Sequence, residues 1–195
     1  MLEDAYYPVT APELNLTIIM KRSMLLASFL ALISWSVPKA DAASDFLLEL
    51  DGIKGESSDT KHPEAIEVQS WSWGVSNSTT TGGGGTTGKV SFSDLTMVIS
   101  LEKASVDLFK ACASGTHIKK AVLYLRKPGV DQPDYYTVTL SEVLVSSIRQ
   151  QGGGSGTEKP YESLSLNYRK IEWAYIAADG SVNKASWDLR TITGP

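Results

Sequence analysis

Beyond about residue 44 the chain alternates between apolar and polar positions. Phe46-Leu47-Leu48-Glu49-Leu50 reads as a strand that stops at Asp51-Gly52, a dipeptide suited to a turn with positive φ. Residues 55–63 are polar and charged and read as a loop. Ile66 and Val68 fall on one alternation, and Trp71, Trp73 and Val75 on the other. A β-bulge near Gln69-Ser70 would bring all five onto one buried face. Residues 77–88, rich in Ser, Thr and Gly, have nothing to bury and are expected to form an exposed, mobile loop. Strand composition resumes from Val90 to Leu101.

A single helix is predicted after residue 104. Ser105 is placed to cap it, and Asp107 sits in its first turn, where the helix dipole favours negative charge. Leu108, Ala111 and Cys112 recur at helical spacing with Phe109 beside them, and Gly115 is placed to end the helix. Further strands follow over 121–126, 135–148, 161–176 and 182–189, with turns at Lys127-Pro128-Gly129 and Asp179-Gly180. About seven strands and one helix make the expected fold mainly β: a compact β-barrel of two sheets with one flanking α-helix.

The first forty-odd residues follow a different logic. Lys21 and Arg22 precede an apolar stretch of about 14 residues, shorter than a membrane span, which ends in Pro38-Lys39-Ala40-Asp41-Ala42. These are the parts of a secretory signal, with cleavage expected around Ala40, Ala42 and Ala43. The expected division is a leader over 1–42 and a barrel domain over 43–195. Within the leader, 1–19 reads as a start-site artefact and 20–42 as signal-like. The other reading places the whole leader upstream of the true start.

Composition narrows the chemistry. With 42% hydrophobic and 21% charged residues the chain has enough apolar material for one packed core. A net charge of −4 with no long basic run gives no sign of nucleic-acid binding. One cysteine, Cys112, rules out an intramolecular disulfide, and two histidines, His62 and His117, leave little for metal or nucleophilic machinery. Gly83-x4-Gly88-Lys89 resembles a phosphate-binding loop, but Val90 follows where a hydroxyl must ligate magnesium, and a strand follows where a helix must open. Cys112 belongs to the helix stripe, and no third group is placed to orient His117. His62 precedes Pro63 in a polar loop with no partner of metal-ligand type in sequence. Glu64, Glu67, Asp94, Glu142 and Glu162 are scattered along strands and suggest no acid pair. Trp71, Trp73, Trp173 and Trp187 lie on strands, where core packing explains them better than sugar stacking. No enzyme activity and no cofactor are expected.

Several blocks, in order, carry a family resemblance. Asp51-Gly52-Ile53-Lys54-Gly55-Glu56-Ser57, then His62, then Ile66-Glu67-Val68-Gln69-Ser70-Trp71-Ser72-Trp73-Gly74 resemble the start of the hemolysin-coregulated (Hcp) proteins of the type VI secretion machine. So do Gly88-Lys89-Val90 with Asp94-Leu95, and Lys103-Ala104-Ser105. Glu142-Val143-Leu144-Val145-Ser146-Ser147 and the run from Pro160 to Tyr175 are similar to the family's central and C-terminal strands. The resemblance implies a homo-hexameric ring that stacks into a tube, tipped by a spike and driven by a contractile sheath on a baseplate. Small effector proteins ride in the lumen, and no nucleic-acid partner or stable membrane insertion is implied. Such a tube assembles in the cytoplasm and is secreted to the outside. A genuine leader would instead make this copy a periplasmic or secreted Hcp-like binding module that builds no driven tube. Within this frame Ser72, between two core indoles, is expected to face the lumen. Asn77, Gly82, Gly83, Gly84, Gly85 and Gly88 are expected to contact a neighbouring subunit or ring.

Overall fold

The computed structural model describes residues 45–80, 87–128, 133–152, 159–191 and 194. The leader positions Ala40, Ala42 and Ala43 therefore lie outside the described residues, as do Gly82, Gly83, Gly84 and Gly85. The elements are β1 (Phe46–Leu50), β2 (Ile66–Ser72), β3 (Val75–Thr80), β4 (Thr87–Phe92), β5 (Leu95–Ser100), α1 (Ala104–Ser114), β6 (His117–Arg126), β7 (Asp134–Gln151), β8 (Tyr161–Ile176) and β9 (Val182–Asp188).

Six strands close into a barrel in the order β5-β2-β1-β6-β7-β8, with β8 returning to pair with β5. Each of these neighbouring pairs is antiparallel. Along one edge β8 has two partners in succession. Residues 161–166 pair with β5 and residues 170–176 pair with β9, while β7 occupies the other edge throughout. A six-stranded barrel is narrow enough for side chains to fill it. Leu48, Ile66, Leu95, Ile99, Leu123, Leu140, Leu164, Leu166 and Ile171 do so, and Leu108 and Ala111 of α1 join the same core. The mainly β barrel with one flanking helix is the fold expected from the pattern.

The bulge in β2 is where the sequence required it. Val68 pairs with Ile99 and Ser70 with Val98, so Gln69 is the extra residue. It shifts the parity, so that Ile66 and Val68 before it and Trp71 and Trp73 after it all pack on the core. Val75 does not join them. It is 52% exposed, because the chain has left the barrel at Gly74 and begun a hairpin.

That hairpin corrects a second expectation. Asn77 and Gly88 are not in a loop but in the β3–β4 ladder, where Asn77 pairs with Val90 and Thr79 with Gly88. Ser and Thr need no core to hold this shape, because the paired strands satisfy each other's amides and carbonyls. A third correction concerns α1. Lys103 occupies the N-cap with no side-chain cap of its own, and Ser105 lies inside the first turn. The Ser105 hydroxyl accepts from the Glu102 amide at 3.1 Å and donates to Glu162 at 2.8 Å. The cap comes instead from afar, through Glu56 Oε1, which accepts the Lys103 amide at 3.0 Å. At the other end Gly115 takes a φ of 64°, where its left-handed backbone closes the helix as expected.

Candidate functional surface

Closing the barrel turns one side of every strand outward, and the outer side of β2, β5, β8 and β7 has an unusual composition. Register places Ser72 beside Thr96, Thr96 beside Ser165, and Ser165 beside Ser147. One step along, Ser70 neighbours Val98, Val98 neighbours Ser163, and Ser163 neighbours Arg149. The residues alternating with these, Met97, Ile99, Leu164 and Leu166, are buried. The result is a four-strand wall on an apolar backing, made of short hydroxyl side chains in the first row and of Ser70 and Ser163 beside Val98 and Arg149 in the second. Ser72 is exposed at one end of the first row, and its carbonyl accepts the Thr96 hydroxyl at 3.1 Å. At the other end the chain bulges between Val145 and Ser147. There the Ser146 hydroxyl meets Asp94 at 2.5 Å, and Asn167 donates to the same carboxylate at 2.8 Å.

The hairpin is rooted in an aromatic cluster. The Trp73 ring lies 5.1 Å from Trp173 and 6.2 Å from Phe92, and Phe92 lies 6.1 Å from Trp187. The Trp73 indole N–H donates to the Tyr168 hydroxyl, which in turn donates to the Ser93 carbonyl at 3.0 Å. Burial pushes the Tyr168 phenol above its usual range, against the pull of the Trp73 N–H and with help from the Asp94 charge. All four tryptophans of the domain are half-buried at the core's edge, which agrees with packing rather than a free stacking surface.

The polar segment over residues 55–65 is folded against the outside of β1 and β6. Asp59 makes its first turn, accepting the amides of Lys61 at 2.8 Å and His62 at 2.9 Å. Its carboxylate also pairs with Arg126, whose guanidinium is buried. Burial works against the Asp59 charge, but the Arg126 hydrogen bond and those two amides outweigh it and hold the pKa at about 2. His62 is not isolated as its sequence context suggested. It is 6% exposed, with Nδ1 2.9 Å from Glu49 and Nε2 3.2 Å from Asp134. The Asp59-x-x-His62 turn was a local signal for this arrangement. Glu49, Arg126 and Asp134 arrive from three strands, and only topology brings them in. Cys112 is half-buried on α1 and His117 is exposed at the start of β6. Glu162 is fully buried, held by Ser105 and by Gln150 at 2.7 Å. Among the described residues no group of three or more His, Cys, Asp or Glu is arranged to hold a metal, and no helix is long and apolar enough to cross a membrane.

The barrel, its helix and its hairpin match a known family. A family model described as "Type VI secretion system effector, Hcp" aligns with residues 47–175, about two thirds of the chain. The chain belongs to the Hcp family. Protein hcp1 of Pseudomonas aeruginosa is 39% identical over 157 residues, spanning 76% of this chain and 96% of that protein. Among solved structures, Hcp1 from Salmonella typhimurium superposes with a TM-score of 0.68 at 33% identity, covering 78% of this chain and 99% of its own. A type VI secretion system effector from Yersinia pestis gives a TM-score of 0.64 at 29% identity, covering 74% of this chain and all of its own. This Hcp chain is thus a tube-type protein of type VI secretion, a family of secreted structural proteins rather than of enzymes.

Proposed function

We propose that this Hcp chain is the structural subunit of the type VI inner tube. Six copies form a ring, rings stack, and the tube is expelled from the cell after cytoplasmic assembly. Spike, contractile sheath and baseplate are its partners in the machine, and small effector proteins travel in its lumen. The observation that carries this reading beyond family membership is the hydroxyl row that runs from Ser72 through Thr96 and Ser165 to Ser147. A lumen that holds varied guests needs a surface that is polar yet low in relief. Short Ser and Thr side chains on a rigid, apolar-backed sheet supply one.

The hairpin is the second part of the proposal. Its arms include Asn77 and Gly88, and the segment between them contains Gly82, Gly83, Gly84 and Gly85. These residues contact a neighbouring subunit or the next ring. The leader reading, with cleavage near Ala40, Ala42 and Ala43, predicts a periplasmic or secreted module instead, and mass measurement of the mature chain separates the two.

The test is assembly followed by cargo retention. Native mass spectrometry of the chain at high concentration should give six-membered rings, and a strict monomer would overturn the tube reading. Ser72→Gln should leave rings intact but reduce retention of a cognate effector in a pull-down. Unchanged retention would remove Ser72 from the lumen.

A further inference from the structure

The segment over residues 55–65 acts as a strap. Its internal hydrogen bonds run from the Gly55 amide to the Glu64 carbonyl at 2.7 Å, from Ser57 to Ala65 at 3.0 Å, and from Glu64 back to Ser57 at 2.9 Å. Outward-facing Leu47 and Val122 on β1 and β6 are buried although they lie outside the barrel core. The side chains that tie the strap to the barrel are almost all ionisable. His62 meets Glu49 of β1 through Nδ1 and Asp134 of β7 through Nε2, and its ring lies 4.0 Å from that of Tyr124 on β6. Asp59 of the strap pairs with Arg126 of β6, whose Nε is 3.5 Å from Asp134. The Tyr124 hydroxyl donates to Glu49 at 3.2 Å. Lys61, next to His62 in the chain, is exposed.

Both ring nitrogens of His62 therefore face carboxylates. A neutral imidazole has one N–H and one lone pair, so it can donate to only one of them and turns a lone pair on the other. The doubly protonated ring donates to both. Charge acts in the same direction, because the two groups that face the ring nitrogens, Glu49 and Asp134, are both carboxylates. A neutral ring offers these carboxylates no charge, and a protonated one sets a positive charge between them. Beside the ring, burial and then the Glu49 carboxylate hold the Tyr124 phenol up at about 12.

We propose that His62 is a proton-operated latch. With both ring nitrogens protonated it ties the strap to β1 and β7; when one proton leaves, the strap loosens over the β1–β6 face. The barrel ladders do not depend on the latch, since β1 pairs with β2 and β6 through its own backbone. The surface the strap presents to a partner thus changes with pH while the barrel does not.

Hydrogen exchange on the full chain tests this, read between about pH 5.5 and 8.5, where His titrates and carboxylates stay ionised. After correction for intrinsic exchange, protection of the Gly55, Ser57 and Glu64 amides should fall at least about tenfold as pH rises, the scale of losing one charge-assisted hydrogen bond. The β7–β8 amides should hold. His62→Gln should flatten the profile, as should Glu49→Gln and Asp134→Asn, which decide the matter if His62→Gln does not fold. His117→Gln, which changes an exposed ring, should keep the wild-type profile. Constant strap protection across the range in the wild-type chain would overturn the latch. So would an undiminished pH response in Glu49→Gln and Asp134→Asn.

Discussion

Glu56 and Glu102, 46 residues apart, are joined by a hydrogen bond from the Glu56 amide to Glu102 Oε2 at 3.1 Å. The pair is reciprocal in effect, because the Glu56 carboxylate caps the Lys103 amide and so begins α1. A carboxylate there also meets the positive end of the helix dipole. The cost falls on Glu102, whose other oxygen, Oε1, is buried without a partner. Burial raises the Glu102 pKa, and the charges of Glu56 and Glu67 raise it further against the Glu56 amide.

A raised carboxylate pKa in the folded state means that ionising Glu102 costs stability above its unfolded pKa, and that the cost is relieved as pH falls. We predict that Glu102→Gln raises the melting temperature at pH 7. The difference from wild type should shrink toward pH 4. Thermal melts across that range check it, and a variant less stable than wild type at pH 7 would refute it.

Asp59 has the opposite sign. Its depressed pKa of about 2 stabilises the fold above the unfolded value near 3.8, and the stabilisation is lost as pH falls through about 2. The shift corresponds to about 2 kcal/mol at neutral pH. Asp59→Asn should lose at least this much at pH 7, since it also weakens the pairing of buried Arg126. Urea titrations of the two proteins at pH 7 and pH 2 should converge at the lower pH.

Gly55 is enclosed by backbone. A Cβ there would lie 2.3 Å from the Ala65 carbonyl oxygen and 2.7 Å from the Ile66 Cα. Backbone cannot swing away as a side chain can, so Gly55→Ala should destabilise by about 1–3 kcal/mol. Gly52→Ala is a useful contrast, because nothing lies within 4 Å and only its φ of 85° is strained. Its cost should be about 1 kcal/mol.

Trp73→Ala removes a half-buried indole together with its contacts to Trp173 and Phe92. It should cost about 3 kcal/mol, the low end for a buried aromatic. Trp73→Phe keeps most of the packing and leaves Tyr168 its bond to the Ser93 carbonyl, so about 1 kcal/mol is expected. Equal losses would mean that the indole N–H, not the ring, matters.

Deleting Gly82 to Gly85 should impair ring stacking more than domain stability. The β3–β4 ladder is a two-stranded sheet of its own, outside the barrel sheet. Sedimentation of assembled tubes against thermal melts of the same variant separates the effects; equal loss of both would count against a hairpin made for contact.

Period-two alternation was enough to find most of the barrel strands, and the parity slip between Val68 and Trp71 was enough to find the bulge, because both lie in consecutive residues. The hairpin was not legible. Ser, Thr and Gly without apolar alternation look the same in a loop and in a ladder held by backbone alone. The helix cap was misread for a related reason: a serine near a helix start is the common local cap, whereas Glu56 acts across 47 residues. Ser72 could be assigned an outward direction from its two neighbouring indoles. The wall it belongs to could not be seen, since Thr96, Ser165 and Ser147 become its neighbours only through register.

The double partnership of β8 sets an order on the making of the molecule. Until residues 161–166 leave the ribosome, β5 has an open edge and the barrel cannot close. By then β1 to β7 have already been synthesised, with most of the core residues among them. The nascent chain must therefore hold an almost complete apolar interior behind an unpaired strand edge, the state most prone to pairing with the wrong chain. A product truncated just before Tyr161 is frozen in that state. It would be a source of aggregates rather than of short tubes.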